Sequence, residues 1–453
     1  MKLENDLGRD DVKKLVLRIA LPSMLAQFVS VLYSIVDRMY IGNIDQVGSV
    51  ALAGVGVCGP VLTMIGSFAF LVGIGGAPLM SMRLGAGDED EAKKILSNSF
   101  LLLLIFAVLV SAVAYPLREP MLRTFGASEV TWPYANTYFS VYLTGTVFAL
   151  LSTGMNQFII CQGFSKIGMK SVLLGAILNI LLDPVFIFVF HMGVAGAAIA
   201  TVISQLASCV YVLCFLFGKR VPVKIGFGGY SFKVMRKITL IGLSPFLIIA
   251  FDNIMIIALN AVLQKYGGAS EGDLLITCAT IVQSFMLVVS MPLGGISGGT
   301  QTILAFNYGA KQGDRVKKAQ KYIFLLCALY TALMMLVAQC AGGLFVRLFT
   351  SDPVLSAETI KAIKIYTLAI IPLGLQYEFV DGFTALGLVH LSLPLSMFRK
   401  TVFFAMLFIL PACFGARATF FAEPISDILS PIVSAIVYFC VMNKILDKQS
   451  GSV

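Results

Sequence analysis

The stretch LGAGDEDEAKK occupies residues 84–94, and YGAKQGDRVKK occupies residues 308–318, a shift of 224. The residues leading into each copy match as well, with Gly73, Gly75 and Gly76 before the first and Gly294, Gly295, Gly298 and Gly299 before the second. A further pair, GVAGAAIATVISQ at 193–205 and GARATFFAEPISD at 415–427, lies 222 residues apart. One spacing recurring at two distant places means an internal duplication of the chain. The basic segment at 218–234 falls between the copies, dividing the chain into 1–217, a connection at 218–234, and 235–453.

What is duplicated follows from composition. Apolar residues make up 58% of the 453, charged residues only 13%, and mean hydropathy is +0.90. Soluble domains carry about a quarter charged residues. The apolar excess lies in runs near 15–41, 51–84, 95–116, 133–157, 166–190, 193–217, 235–263, 273–308, 318–347, 360–386, 391–415 and 419–443. A run of about 20 apolar residues crosses the hydrocarbon layer as a helix. Backbone groups in lipid must satisfy one another, so many such runs make a helical bundle. The expected fold is all-α and polytopic: twelve transmembrane helices in two six-helix lobes. An even number of spans precedes the second lobe, so the lobes share one orientation and are related by a parallel pseudo-two-fold axis. Such repeats suit a carrier that rocks about a midplane site, although channels also use them.

The net charge of +9 raises the question of nucleic acid, and the placement of the charges answers it. Of the 33 Lys and Arg residues, 25 fall on one side of the spans: the N-terminal tail, Arg83/Lys93/Lys94, Lys166/Lys170, the 219–237 connection, 311–321, Arg399/Lys400 and Lys444/Lys448. The other side has seven, and Arg38 lies within a span. The positive-inside rule then predicts cytoplasmic termini and a cytoplasmic middle connection. The basic balance is topological, with contact to anionic membrane lipid and no nucleic-acid partner. Residues 1–18 mix acids and bases ahead of an apolar run holding Pro22 and Asp37, which reads as a tail entering a first membrane helix, not as a signal peptide.

Several motifs fail on context. Gly54–Gly59 fits G-x-G-x-x-G but opens an apolar span with no preceding strand. GFSKIGMKS at 163–171 approaches a phosphate-binding loop with one residue too many before its lysine. The nine cysteines stand singly and the two histidines, His191 and His390, are far apart, so neither disulfides nor a zinc site is expected. No cofactor and no enzyme chemistry are expected.

The remaining signal is polar residues inside apolar runs. A charge at mid-bilayer costs on the order of 2.5–3.5 kcal/mol on insertion scales, so it is usually retained for function. Asp37 sits in VLYSIVDRMYIG with Tyr33 one turn earlier on the same face. Asp183 sits in AILNILLDPVFIF with Asn179 one turn earlier, and Pro184 leaves the Ile180 carbonyl without its helical donor. Carboxylate, amide and carbonyl oxygens suit a hard cation, and the carboxylates can exchange protons. The bland alternative for Asp37 is an ion pair with Arg38 or another base. The second half adds Asp252, Gln283, Glu378 and Asp381, either as coupling or substrate residues or as interhelical pairs. Under the repeat Asp37 faces Asn260, so the halves are chemically unequal.

Pro22, VDRMYIG at Asp37, LNILLDPVFI at 178–187, GAAIATVIS at 196–204, the doubled glycine-rich loops and FRK at 398–400 together resemble the multidrug and toxic compound extrusion (MATE) family, nearest its bacterial DinF-like branch. The resemblance implies that Asp37, Asn179, Asp183 and Thr201 surround a proton or sodium site, with Tyr138 and Asn156 near it. The tenth-span acids depart from the spacing of other branches. The implied function is exchange of inward H+ or Na+ for outward amphipathic, cationic small organic molecules, by a monomer in the cytoplasmic membrane. The alternative is a flippase or exporter of a lipid-linked or other specific metabolite. A pyrophosphate-carrying lipid would call for basic residues in the spans, and the sequence offers almost none beyond Arg38. A channel would need a filter loop, and none is recognisable.

Overall fold

The computed structural model describes residues 4–350 and 352–450, with side chains other than those of 269, 270 and 448–450. Lys2 and the side chain of Lys448, both counted among the basic ends, lie outside the described residues. The first lobe holds α1 (Val12–Gly42), α2 (Gly48–Gly85), α3 (Glu89–Thr124), α4 (Trp132–Thr144), α5 (Thr146–Ile160), α6 (Ser165–Pro184) and α7 (Gly193–Phe217). The second holds α8 (Phe232–Gly268), α9 (Glu271–Gly309), α10 (Gly313–Val346), α11 (Pro353–Tyr366), α12 (Ile370–Ala385), α13 (Val389–Phe414) and α14 (Ala422–Ser450). The polypeptide turns between α8 and α9 at Gly268, whose φ of 60° suits glycine.

Ten of these helices are long and apolar enough to cross a membrane, and α4 with α5 forms an eleventh span bent by 58° at Gly145. The twelfth is α11 with α12, whose apolar character is diluted by Lys361, Lys364, Glu378 and Asp381. The sequence pattern predicts each of these two as an unbroken span. The structure breaks both, and at equivalent places: a shift of 224 carries Gly145 to 369, between Tyr366 and Ile370. Large apolar side chains on the outside, among them Leu329, Leu333, Leu336 and Phe439, are more than half exposed, as a lipid-facing surface requires.

The repeated loops make helix starts. Asp88 accepts a hydrogen bond from the Glu91 backbone N–H at 3.0 Å, and Glu89, Asp90 and Glu91 occupy the first turn of α3. Negative charge there is favourable against the helix dipole. The acidic run is thus a cap rather than a site. The connection at 218–231 is fastened to the first lobe: Val221, Val223 and Ile225 are buried, the Val223 N–H donates to Gln162 Oε1 at 2.9 Å, and the Ser231 N–H donates to Asn98 Oδ1 at 2.9 Å.

The glycines of α2, α8 and α9 serve packing between lobes. A methyl group at Gly242 would overlap the Leu71 carbonyl, and one at Gly309 would overlap the Met82 carbonyl. Helix backbones approach this closely only over small residues. Ser81 donates to the Thr302 carbonyl at 3.0 Å, Asn307 to the Leu7 carbonyl at 3.0 Å, and Arg315 to the Asp10 carbonyl at 2.9 Å. These contacts between lobes gather at the end bearing the loops at 86–88 and 310–312. Farther from that end, the rings of Phe68 and Phe246 meet edge-on with centroids 5.0 Å apart.

Candidate functional site

The first lobe gathers polar side chains from four helices. Asp183 (α6) is fully buried, Asn179 (α6) nearly so, and Tyr138 (α4) is 5% exposed. One Asn179 amide nitrogen, Nδ2, donates to Asp183 Oδ1 at 3.2 Å and to Thr201 Oγ1 on α7 at 3.3 Å. Tyr138 hydrogen-bonds Thr201, and Gln205, one turn beyond Thr201, donates to Tyr142 Oη at 3.4 Å. Asp37 on α1 meets Asp183 carboxyl to carboxyl. Tyr33 stands beside both acids.

Two carboxyl groups in hydrogen-bond contact need a proton or a cation between them, because two bare carboxylates repel at that range. The oxygens at this place point the same way: buried Asp37 Oδ1, Asp183 Oδ2 and Asn179 Oδ1 accept no hydrogen bond from an N–H or hydroxyl donor among the described residues. Arg38 is exposed and forms no ion pair with Asp37 among the described residues, so the bland pairing is not what holds the acid there. Below Asp183 the helix passes through Pro184 and widens into a π-helical turn, Val185–Val189. Pro184 has no N–H to give the Ile180 carbonyl, so that oxygen loses its usual helical donor beside the acid. Asn156 is apart from this group. Its Oδ1 accepts from Ser171 Oγ at 3.1 Å, about two turns nearer the start of α6, where it ties α5 to α6.

The second lobe separates its candidates. Glu378 on α12 is 1% exposed, with neither carboxyl oxygen partnered. Asp381 hydrogen-bonds Ser297 and Gln301 of α9, and Gln283 is half-buried on α9. Asp252 on α8 pairs with Lys400. Lys400 and Arg399 lie well inside α13, with side chains 7% and 15% exposed. Their assignment to a basic connection at the membrane edge is therefore corrected, and so is the reading that the spans hold almost no base beyond Arg38. Long apolar stems let both side chains reach acids inside the lobe. Arg399 Nη1 donates to Glu423 Oε1 at 3.1 Å and to Asp427 Oδ1 at 2.9 Å, and Tyr366 donates to Glu423 Oε2 at 3.4 Å.

Sequence reasoning missed Arg399, Lys400, Glu423 and Asp427, although one signal was present. The pairing of 193–205 with 415–427 lays Thr201 on Glu423 and Gln205 on Asp427. Among the described residues no group of three or more His, Cys, Asp or Glu side chains is arranged to hold a metal ion.

The chain matches the MatE family model over residues 22–185 and 249–410. It is 24% identical over 442 residues to the multidrug export protein MepA of Staphylococcus haemolyticus JCSC1435, covering 96% of both chains. To MepA of Staphylococcus aureus MRSA252 it is 24% identical over 441 residues, again covering 96% of both. Among solved structures, a MATE protein in a straight conformation superposes with a TM-score of 0.90 at 24% identity, covering 97% of this chain and 98% of that one. An outward-facing multidrug resistance MATE transporter of the MOP superfamily superposes equally well, with a TM-score of 0.90 at 23% identity and coverage of 97% and 98%.

Proposed function

The chain belongs to the MatE family, and on that premise we propose that it is a secondary active efflux transporter of the plasma membrane, exchanging inward H+ or Na+ for outward amphipathic organic cations. The multidrug export relatives support the substrate class. The observation that carries the coupling is the contact between Asp37 and Asp183, made in a buried setting with unpartnered oxygens and no ion pair to either acid among the described residues. Asp37, Asn179, Asp183 and Thr201 form the coupling site, with Tyr33 and Tyr138 as its aromatic wall. Asp252, Gln283, Glu378 and Asp381 belong to the substrate path or a secondary site, and Asn156 supports α6 from behind.

In this reading a cation arriving from outside settles between the two carboxyls and removes their repulsion. Neutralised, α1 packs against α6 differently, and the substrate site loses affinity for its outgoing cation. One inward elementary charge contributes about 2.3 kcal/mol per 100 mV of membrane potential. The moving units are the lobes at 1–217 and 235–453, rocking about the glycine-lined contacts, in a monomer with both termini cytoplasmic. Surrounding lipid solvates the apolar exterior. A flippase for a lipid pyrophosphate is less well supported, because the buried bases Arg399 and Lys400 are already committed to acids.

Sealed vesicles test the proposal. Efflux of a fluorescent organic cation should follow an imposed proton or sodium gradient and fall by ~5- to 150-fold in Asp37→Asn. Efflux that persists in the variant with unchanged ion dependence would sink the coupling site. Folded protein that transports nothing under either gradient would instead sink the substrate class.

A further inference from the structure

Lys400 is an ammonium held by an acid within a cluster of three acids and two bases. Asp252, Glu423 and Asp427 face only Arg399 and Lys400, so with all five ionised the group has one negative charge to spare. Arg399 is anchored, bonding both Glu423 and Asp427. Lys400 has a single ion-pair partner among the described residues, Asp252.

The Asp252–Lys400 pair is unequal. The lysine side chain is 7% exposed, whereas the aspartate side chain is 46% exposed. The acid therefore has a face that a second cation can reach while the ammonium stays inside. Lys400 also has somewhere to go. Asp427 is fully buried, its Oδ2 has no hydrogen-bond partner, and it lies within electrostatic reach of Lys400. Tyr377 stands near Asp252 and Arg399, adding a ring face of the kind that attracts organic cations.

We infer that Asp252 is an exchange site where a substrate ammonium or phosphonium displaces the Lys400 ammonium, which swings to the free oxygen of Asp427. Lys400 is then a tethered competitor for the organic cation. Every substrate bound must dislodge an intramolecular cation present at high effective concentration. When the substrate leaves, Lys400 closes on Asp252 again and opposes rebinding. The substrate class rests on the proposed function; the exchange does not depend on which ion is coupled in the first lobe.

The test is equilibrium binding of tetraphenylphosphonium, a permanently charged probe, to purified full-length protein without any ion gradient. Lys400→Gln should bind it ~3- to 10-fold more tightly by removing the competitor, and Asp252→Asn should bind it about tenfold more weakly. Lys400→Arg should stay near wild type, and the Asp252→Asn/Lys400→Gln double variant should match Asp252→Asn. Binding unchanged or weakened in Lys400→Gln, with an unchanged unfolding temperature, would overturn the exchange. Should Lys400→Gln not fold, wild-type affinity in Asp252→Asn would overturn it equally. If wild-type protein does not bind the probe, the organic-cation reading falls together with this inference. Binding that is present but indifferent to both residues overturns this inference alone.

Discussion

The last two helices of each lobe occupy equivalent places and carry opposite electrostatic solutions. A shift of 224 lays Asn179 and Asp183 of α6 on Phe403 and Leu407 of α13, and Gly175 and Ala176 on Arg399 and Lys400. On the partner helices, Thr201 and Gln205 of α7 answer to Glu423 and Asp427 of α14. The tyrosines differ by one turn in their partners: Tyr142 bonds Gln205, whereas Tyr366 at the shifted position bonds Glu423, which answers to Thr201. The first lobe leaves Asp37 and Asp183 without an ion pair among the described residues, so neutralising them requires something from outside the protein. In the second lobe α13 places arginine and lysine one helix away from Glu423, Asp427 and Asp252 and neutralises most of that cluster's charge internally, while Glu378 and Asp381 of α12 stay outside it. One scaffold thus yields a lobe suited to exchanging a small cation and a lobe held together by ion pairs.

Removing an acid should therefore have different consequences in the two lobes. The largest effect on function is expected from Asp183→Asn or Asp37→Asn. Coupled efflux should fall by ~5- to 150-fold, the range of ordinary site-to-site coupling, with the unfolding temperature in detergent little changed. The largest effect on stability is expected from Arg399→Met, which strands fully buried Asp427 and nearly buried Glu423. Removing one side of a buried ion pair costs about 3–5 kcal/mol, read as a lower unfolding temperature, and adding Asp427→Asn to that variant should recover part of it.

A smaller effect is expected from Asn179→Ala, which removes the amide joining Asp183 to Thr201. A hydrogen bond to a charged group contributes about 1.5–3 kcal/mol, so the ion concentration giving half-maximal efflux should shift roughly tenfold. The shift is upward for sodium, which loses an amide-oxygen neighbour, and downward for protons, because the lost donor had favoured the ionised carboxylate. The smallest effect is expected from Glu358→Gln. It weakens an exposed network with Arg417 and Lys361, and surface pairs of this kind are worth about 0.2–1 kcal/mol. A shift in unfolding temperature at Glu358 as large as that at Arg399 would break the distinction between buried and exposed pairing.

Much of this contrast was legible before any coordinates. Hydropathy runs locate membrane helices because the bilayer enforces length, and the duplicated loops reveal the two lobes. Asp37, Asn179 and Asp183 stood out because polar residues in apolar helices are conspicuous, Thr201 entered only through the family resemblance, and the four do come together. The breaks within the fourth and tenth spans were not legible. Gly145 is one glycine among many, and Thr367–Ala369 carries no breaker. Arg399 and Lys400 misled for a specific reason. A base near the start of an apolar run looks the same whether it marks the membrane surface or reaches inward to an acid on another helix. Only three-dimensional pairing with Glu423, Asp427 and Asp252 separates the two. Asn156 illustrates the converse, a buried polar residue whose partner, Ser171, is structural.

The most direct test of the contrast is equilibrium uptake of the coupling cation by purified protein, measured as sodium binding and, separately, as proton uptake with an indicator dye. Wild type and Asp252→Asn should take up the same cation in the same amount, whereas Asp37→Asn and Asp183→Asn should take up little or none. Uptake that survives in both first-lobe variants and is lost in Asp252→Asn would place the exchangeable cation in the second lobe and contradict the account.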